Sequence, residues 1–106
     1  MKVKLLAKEI KQSLNVHLDN CIQDVIVFGS HVNGKARVDS DYDILIIVTC
    51  ENTWEIRRKI SDLCYDIELK YNIFLDTQII STGELEHGIR GKHPVYIDAI
   101  KDGVHA

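Results

Sequence analysis

The chain has 106 residues, 16 Asp and Glu against 13 Lys and Arg, a formal net charge of −3, and 45% hydrophobic residues. That is the length of one domain, residues 1–106, with room for a core but little for a separate acceptor-binding domain. The acidic balance excludes nucleic-acid binding by bulk charge, although Lys8, Lys11, Arg57, Arg58 and Lys59 leave a local basic face open.

Val3, Leu6, Ile10, Leu14 and Leu18 step by three or four residues and predict an amphipathic helix over 2–18. "DVIVF" at 24–28 reads as a short buried strand. "GSHVNGKARVDS" is too polar and too rich in Gly and Asn to be regular, and predicts a turn followed by a loop. "YDILIIVT" is nearly continuous in apolar residues, as in a central strand covered on both faces. Asn52 with Glu55 gives a capping-box start to a helix that runs to about residue 70 through Ile56, Ile60, Leu63, Cys64, Ile67 and Tyr71. "NIFLDTQII" is a third strand. "STGE" at 81–84 caps a short helix, Pro94 fits the first turn of a last one, and Gly103 its end. The order predicts an α/β (α+β) fold: a small mixed sheet of about three strands or more with helices packed on it.

No apolar run reaches the length of a membrane span, and "MKVKLLAKEI" carries charges where a signal peptide is apolar. Cys21, Cys50 and Cys64 are odd in number and widely spaced. They are expected to be reduced, small core residues of a cytoplasmic protein. With neither CxxC nor HExxH, and five scattered histidines, the sequence offers no zinc site.

The chemistry lies in Asp41 and Asp43. Residues i and i+2 of a strand share a face, so the two carboxylates stand side by side while Tyr42 points the other way. Two like charges so close call for a cation between them, and a hard divalent one, Mg²⁺ or Mn²⁺, takes oxygen ligands. A solvated acidic turn is the bland alternative for "DSDYD". Against it stand three observations. Gly29 comes straight off a strand and lets backbone approach a ligand, and Ser30 adds a hydroxyl and an N–H suited to phosphate. An apolar run, Gly-Ser, ten residues and then Asp-x-Asp entering a second apolar run is an uncommon pattern. Asp76 lies inside the third strand, where it completes a three-carboxylate cluster if that strand neighbours the second; otherwise it is an edge residue facing water.

"VFGSHVNGKARVDSDYDILIIV" resembles the signature of the polymerase-beta-like nucleotidyltransferases, and the chain length resembles their minimal, stand-alone (MNT) members. "HPVYIDAIKDGV" is similar to the C-terminal stretch of these small domains. The resemblance implies a nucleotidyltransferase fold and transfer of a nucleoside monophosphate, AMP, from an NTP, ATP, to a hydroxyl. It implies that Gly29 and Ser30 hold the triphosphate, that Asp41 and Asp43 bind Mg²⁺ (or Mn²⁺), and that Asp76 ligates the catalytic metal and helps activate the attacking hydroxyl. One departure is Asn33, which stands before Gly34 where many relatives carry Arg; Lys35 or Arg37 are the candidates to compensate.

Many relatives pair with a HEPN-domain RNase toxin as its antitoxin, and a chain without an acceptor domain fits an acceptor on another protein. Two alternatives stay open: a stand-alone enzyme acting on a small hydroxylated molecule, as a homodimer that builds its site between subunits, or a non-catalytic nucleotide- or partner-binding module. Membrane and nucleic acid are not expected partners. Plainer roles fall to His31 (an exposed loop residue), Trp54 (helix packing), His93 and Tyr96 (structural), and Arg57–Arg58 (a solvated helix face). A core this small predicts modest stability.

Overall fold

The computed structural model describes residues 2–37 and 40–106. The elements are α1 (Val3–His17), β1 (Ile22–Phe28), the single turn α2 (Ser30–Asn33), β2 (Tyr42–Val48), α3 (Trp54–Tyr71), β3 (Leu75–Ser81), α4 (Thr82–His87), a 3-10 turn at Arg90–Lys92, α5 (Pro94–Asp102) and β4 (Val104–His105). The expected loop between α2 and β2 includes residues 38 and 39, which lie outside the described residues.

The sheet order is β3-β2-β1-β4, with β2 and β3 parallel and the other pairs antiparallel. The mixed pairing follows from the connections. The link from β1 to β2 reverses direction, whereas β2 reaches β3 through the crossover helix α3. β2 is central, and Ile44 through Val48 are all buried. Alternation sends Tyr42, Ile44, Ile46 and Val48 toward α1 and α3, where Leu6, Ile10, Leu14, Ile60, Cys64 and Ile67 close the larger core. Leu45 and Ile47 point the other way, joining Ile26, Ile80, Tyr96 and Ala99 in a smaller cluster under α5. The first face is tied at its rim by Glu9 of α1, which accepts hydrogen bonds from the Tyr71 hydroxyl and from Lys70 Nζ.

Several elements depart from expectation. β1 begins at Ile22, two residues before the predicted strand. The cap of α3 is Thr53, whose hydroxyl accepts from the Ile56 N–H at 3.3 Å. Asn52 instead turns back, its Nδ2 donating to Ile79 O at 3.3 Å and Glu84 Oε1 at 3.0 Å. Ser81 and Glu84 form the expected capping box of α4. After α5 the chain adds β4, two residues too short for any periodicity to announce. It is held by His105, whose Nδ1 meets Asp24 Oδ2 at 2.6 Å and whose Nε2 meets Ile100 O at 2.8 Å.

The cysteines correct the expectation of three reduced thiols. Ile22 pairs with Val48, which brings the flanking Cys21 and Cys50 together in a disulfide with Cα atoms 5.7 Å apart. Cys64 is free and buried as expected, and burial pushes its thiol up to about 12. Among the described residues, no helix is long and apolar enough to cross a membrane.

Candidate active site

Gly29 follows β1 with φ 78° and ψ −148°, a backbone region essentially reserved for glycine. Its missing side chain is used: a Cβ there would collide with Asp43 Oδ2. The turn that follows is built by backbone. Val32 and Asn33 N–H groups donate to Gly29 O at 3.0 and 3.1 Å, and Lys35 N–H donates to Ser30 O at 3.1 Å. Asn33 Oδ1 accepts from Lys35 N–H at 3.2 Å and so helps to close this turn. Gly34 ends it in the left-handed conformation, φ 80°. Lys35 and Arg37 stand exposed on the loop beyond.

The register carries the rest. Phe28 pairs with Asp43, and Asp43 with Asp76, so the three lie abreast on adjacent strands. Asp76 is exposed on the edge strand β3. It is thus both an edge residue and the neighbour of Asp43. Asp43 is half-buried, and its carboxyl is held above the ordinary value. Desolvation is the largest cause, followed by repulsion from Asp76 and then from Asp41; His31 opposes them, and a hydrogen bond with Asp76 adds to the rise. Asp41 is exposed and precedes the first residue of β2, while Tyr42 is buried on the opposite face. The β2–β3 register therefore sets Asp43 directly beside Asp76, while Asp41 stands one residue outside β2 and is the weaker of its two acidic neighbours.

Among the described residues, no three His, Cys, Asp or Glu side chains form a preformed metal cage. The donors present are carboxylate oxygens, two abreast and one at the strand entrance. That set suits a hard cation such as Mg²⁺, which binds through one or two carboxylates and keeps positions for water and phosphate oxygens.

A cavity of about 770 Å³ opens beside the two carboxylates, walled by Phe28, Gln78, Val95 and Tyr96. A second, of about 410 Å³, lies against Gly29, Val32 and Asn33, with Phe28 and Val95 common to both. Arg90 at the larger cavity was not foreseen, since no motif surrounds it. It donates to Tyr96 Oη at 2.9 Å, Ile79 O at 3.2 Å and Glu84 Oε2 at 3.1 Å. The Tyr96 hydrogen bond is the leading cause that raises its guanidinium further. His93 Nδ1 accepts from Val95 N–H at 3.2 Å to cap α5, and Tyr96 is buried, yet both also line the larger cavity. Trp54 departs from the helix-packing expectation, because it opens α3 with 61% of its surface exposed. Arg57 and Arg58 are exposed on α3, as expected.

Residues 8–96 match the family model described as Polymerase beta, Nucleotidyltransferase. A protein of Methanocaldococcus jannaschii that carries the name "Putative protein adenylyltransferase" is 32% identical over 75 residues, which span 71% of this chain and 76% of that protein. Two solved structures share the fold. A toxin-antitoxin with AMP-PNP has a TM-score of 0.56 at 17% identity, covering 92% of this chain and 70% of that one. A double Asp-to-Glu mutant of the toxin-antitoxin MntA-HpeT has a TM-score of 0.58 at 15% identity, covering 93% of this chain and 70% of that one.

Proposed function

We propose, for a chain that belongs to the polymerase beta nucleotidyltransferase family, that it moves AMP from ATP to a hydroxyl group on a partner protein. The observation that carries this reading is the alignment of Asp43 with Asp76 beside the glycine that Asp43 covers. Such a pair costs stability in a folded chain and is hard to account for as packing. The M. jannaschii relative's name supports adenylyl transfer, and the AMP-PNP in one fold neighbour supports an adenine nucleotide.

Gly29 lets the turn approach the triphosphate, and the Ser30 N–H and hydroxyl bind its oxygens. Asp41, Asp43 and Asp76 would hold Mg²⁺ (or Mn²⁺), which supplies positive charge against the phosphates and the leaving group. Asp76 accepts the hydrogen bond of the acceptor hydroxyl and takes its proton. The acceptor oxygen forms a bond to the α-phosphorus as the α–β bridging bond breaks, and pyrophosphate leaves. Residues 1–106 act as one nucleotidyltransferase unit, with the acceptor supplied from outside. The toxin–antitoxin fold neighbours support a protein partner, and a HEPN-domain toxin is the partner we propose.

The test is transfer of label from ATP marked at its α-phosphate to the protein encoded beside this chain, in Mg²⁺. Wild type is expected to label it and Asp43→Asn is not. Equal labelling by an Asp41→Asn, Asp43→Asn double variant would end the assignment. The cavity of about 770 Å³ favours one second reading, a small hydroxylated acceptor, since it has the size of a small-molecule pocket. Consumption of ATP with a labelled small product and no labelled protein would select it.

A further inference from the structure

His31, the residue after the Gly-Ser pair, is not the free loop side chain that its position suggests. Its ring lies flat on Tyr42, with centroids 3.6 Å apart and planes 10° from parallel. Its Nε2–H donates to Ser40 O at 2.8 Å. Tyr42 sits between Asp41 and Asp43, and Ser40 is the residue before Asp41. One imidazole thus grips the chain on both sides of Asp41.

Asp41 needs such a grip. Asp43 and Asp76 are inside strands and are placed by the ladder, which fixes them through many backbone hydrogen bonds. Asp41 precedes β2 and is exposed. The first anchored group after it is the Tyr42 N–H, which donates to Phe74 O at 2.9 Å. The anchored group before it is the Ser40 carbonyl, bound by His31. Ser40 is braced in turn, its hydroxyl accepting from Arg37 N–H at 2.8 Å and its N–H donating to Arg37 O at 3.1 Å. Without the imidazole, only the downstream side of Asp41 is tied to the sheet.

We infer that His31 is a positioning residue, a staple joining the Gly-Ser turn to the Asp-x-Asp strand so that Asp41 is held for the metal-bound triphosphate. The inference rests on the proposed role of Asp41, and it deepens that role by assigning the third carboxylate's placement to a side chain ten residues upstream of it. The two contacts are chemically separable. Phe keeps a ring over Tyr42 and loses the donor; Gln keeps a donor and loses the ring.

The test compares wild type, His31→Phe, His31→Gln, Asp41→Asn and the His31→Phe, Asp41→Asn double variant. Two readouts need no turnover: amide hydrogen exchange at Ser40 and Tyr42, whose N–H groups are bonded to Arg37 O and Phe74 O, and Mn²⁺ binding followed by paramagnetic resonance with a non-hydrolysable ATP analogue. His31→Phe is expected to speed exchange at both amides and to weaken Mn²⁺ binding about tenfold, with His31→Gln between it and wild type. If His31 acts through Asp41, the double variant binds Mn²⁺ no more weakly than Asp41→Asn alone. In AMP transfer, the Mg²⁺ needed for half-maximal rate rises while the rate at saturating Mg²⁺ changes less than about threefold, which general loosening of the fold would not produce. Unchanged exchange in His31→Phe, or Mn²⁺ losses that add in the double variant, would overturn the inference. So would a His31→Phe defect in analogue binding that persists in EDTA, where no metal bridges the phosphates, because His31 would then touch the nucleotide itself. Should His31→Phe speed exchange while Asp41→Asn leaves Mn²⁺ binding intact, the staple stands and the metal role of Asp41 falls.

Discussion

The two faces of the sheet are made from alternate residues of the same strands and have opposite characters. Tyr42, Ile44, Ile46 and Val48 meet α1 and α3, and every one is buried. Asp43, Leu45 and Ile47 point the other way, where α5 covers the apolar pair and a cavity opens beside the carboxylate. One residue's step along β2 therefore separates a closed core from a half-open site. Each face is tuned at the other's expense: the closed face secures the fold, and the open face carries a charge that the fold would be easier without.

The largest effect should come from the open face. Asp43→Asn is expected to lower AMP transfer by about 10²–10³-fold, the scale of losing one preorganised electrostatic partner. Its stability should move the opposite way. The Asp43 carboxyl is raised in the fold, so its favourable contribution is full below the ordinary value of 3.8 and is lost as pH rises through the raised value. At neutral pH the ionised group is a net cost, and thermal melting should place Asp43→Asn above wild type. A lower melting temperature would break the comparison. The closed face should answer in reverse, since Ile46→Ala is expected to cost about 2–5 kcal/mol in denaturant unfolding through its cavity while leaving no specific mark on nucleotide affinity. Gly29→Ala joins both effects. It should cost about 1–3 kcal/mol for its backbone region alone, and it should displace Asp43, visible as lost activity beyond what instability explains.

The smallest effect is expected at the sheet's other edge. His105 is raised from 6.5, first by its hydrogen bond to Asp24 and then by the one to Ile100 O. Its contribution is fully present below 6.5 and is lost as pH rises through the raised value. Wild type and His105→Gln should differ in denaturant midpoint in mildly acidic buffer and converge in alkaline buffer. A difference that grows with pH would remove the pair from the account of β4.

Much of this contrast was legible in the sequence because it depends on period. Alternation put Asp43 and Tyr42 on opposite faces, and the three- and four-residue steps of α1 named its buried side. The Gly29-Ser30 turn was legible through residue chemistry. What escaped depends on contacts between distant segments. Asp76 could be found inside a strand, but its place abreast of Asp43 is set by register. Asn52 is the expected cap of α3, but its side chain bonds Glu84, 32 residues away, and the cap falls to Thr53. The Cys21–Cys50 bridge follows from where the β1–β2 ladder ends, which spacing alone does not give. Arg90 has no local signal, because its partners come from β3, α4 and α5.

The parallel pairing of β2 with β3 has a kinetic consequence. The hairpin-like β1–β2 pair forms by local closure, but Asp76 joins Asp43 only after α3 has folded across the sheet and brought β3 back. Parallel strands joined by a helix are slow to pair, because a long loop must close before any contact offsets its entropy. During refolding, the Asp43–Asp76 pair can arise no sooner than this crossover. Metal and nucleotide that require both carboxylates would then act late, on chains already complete, and would slow unfolding more than they speed folding.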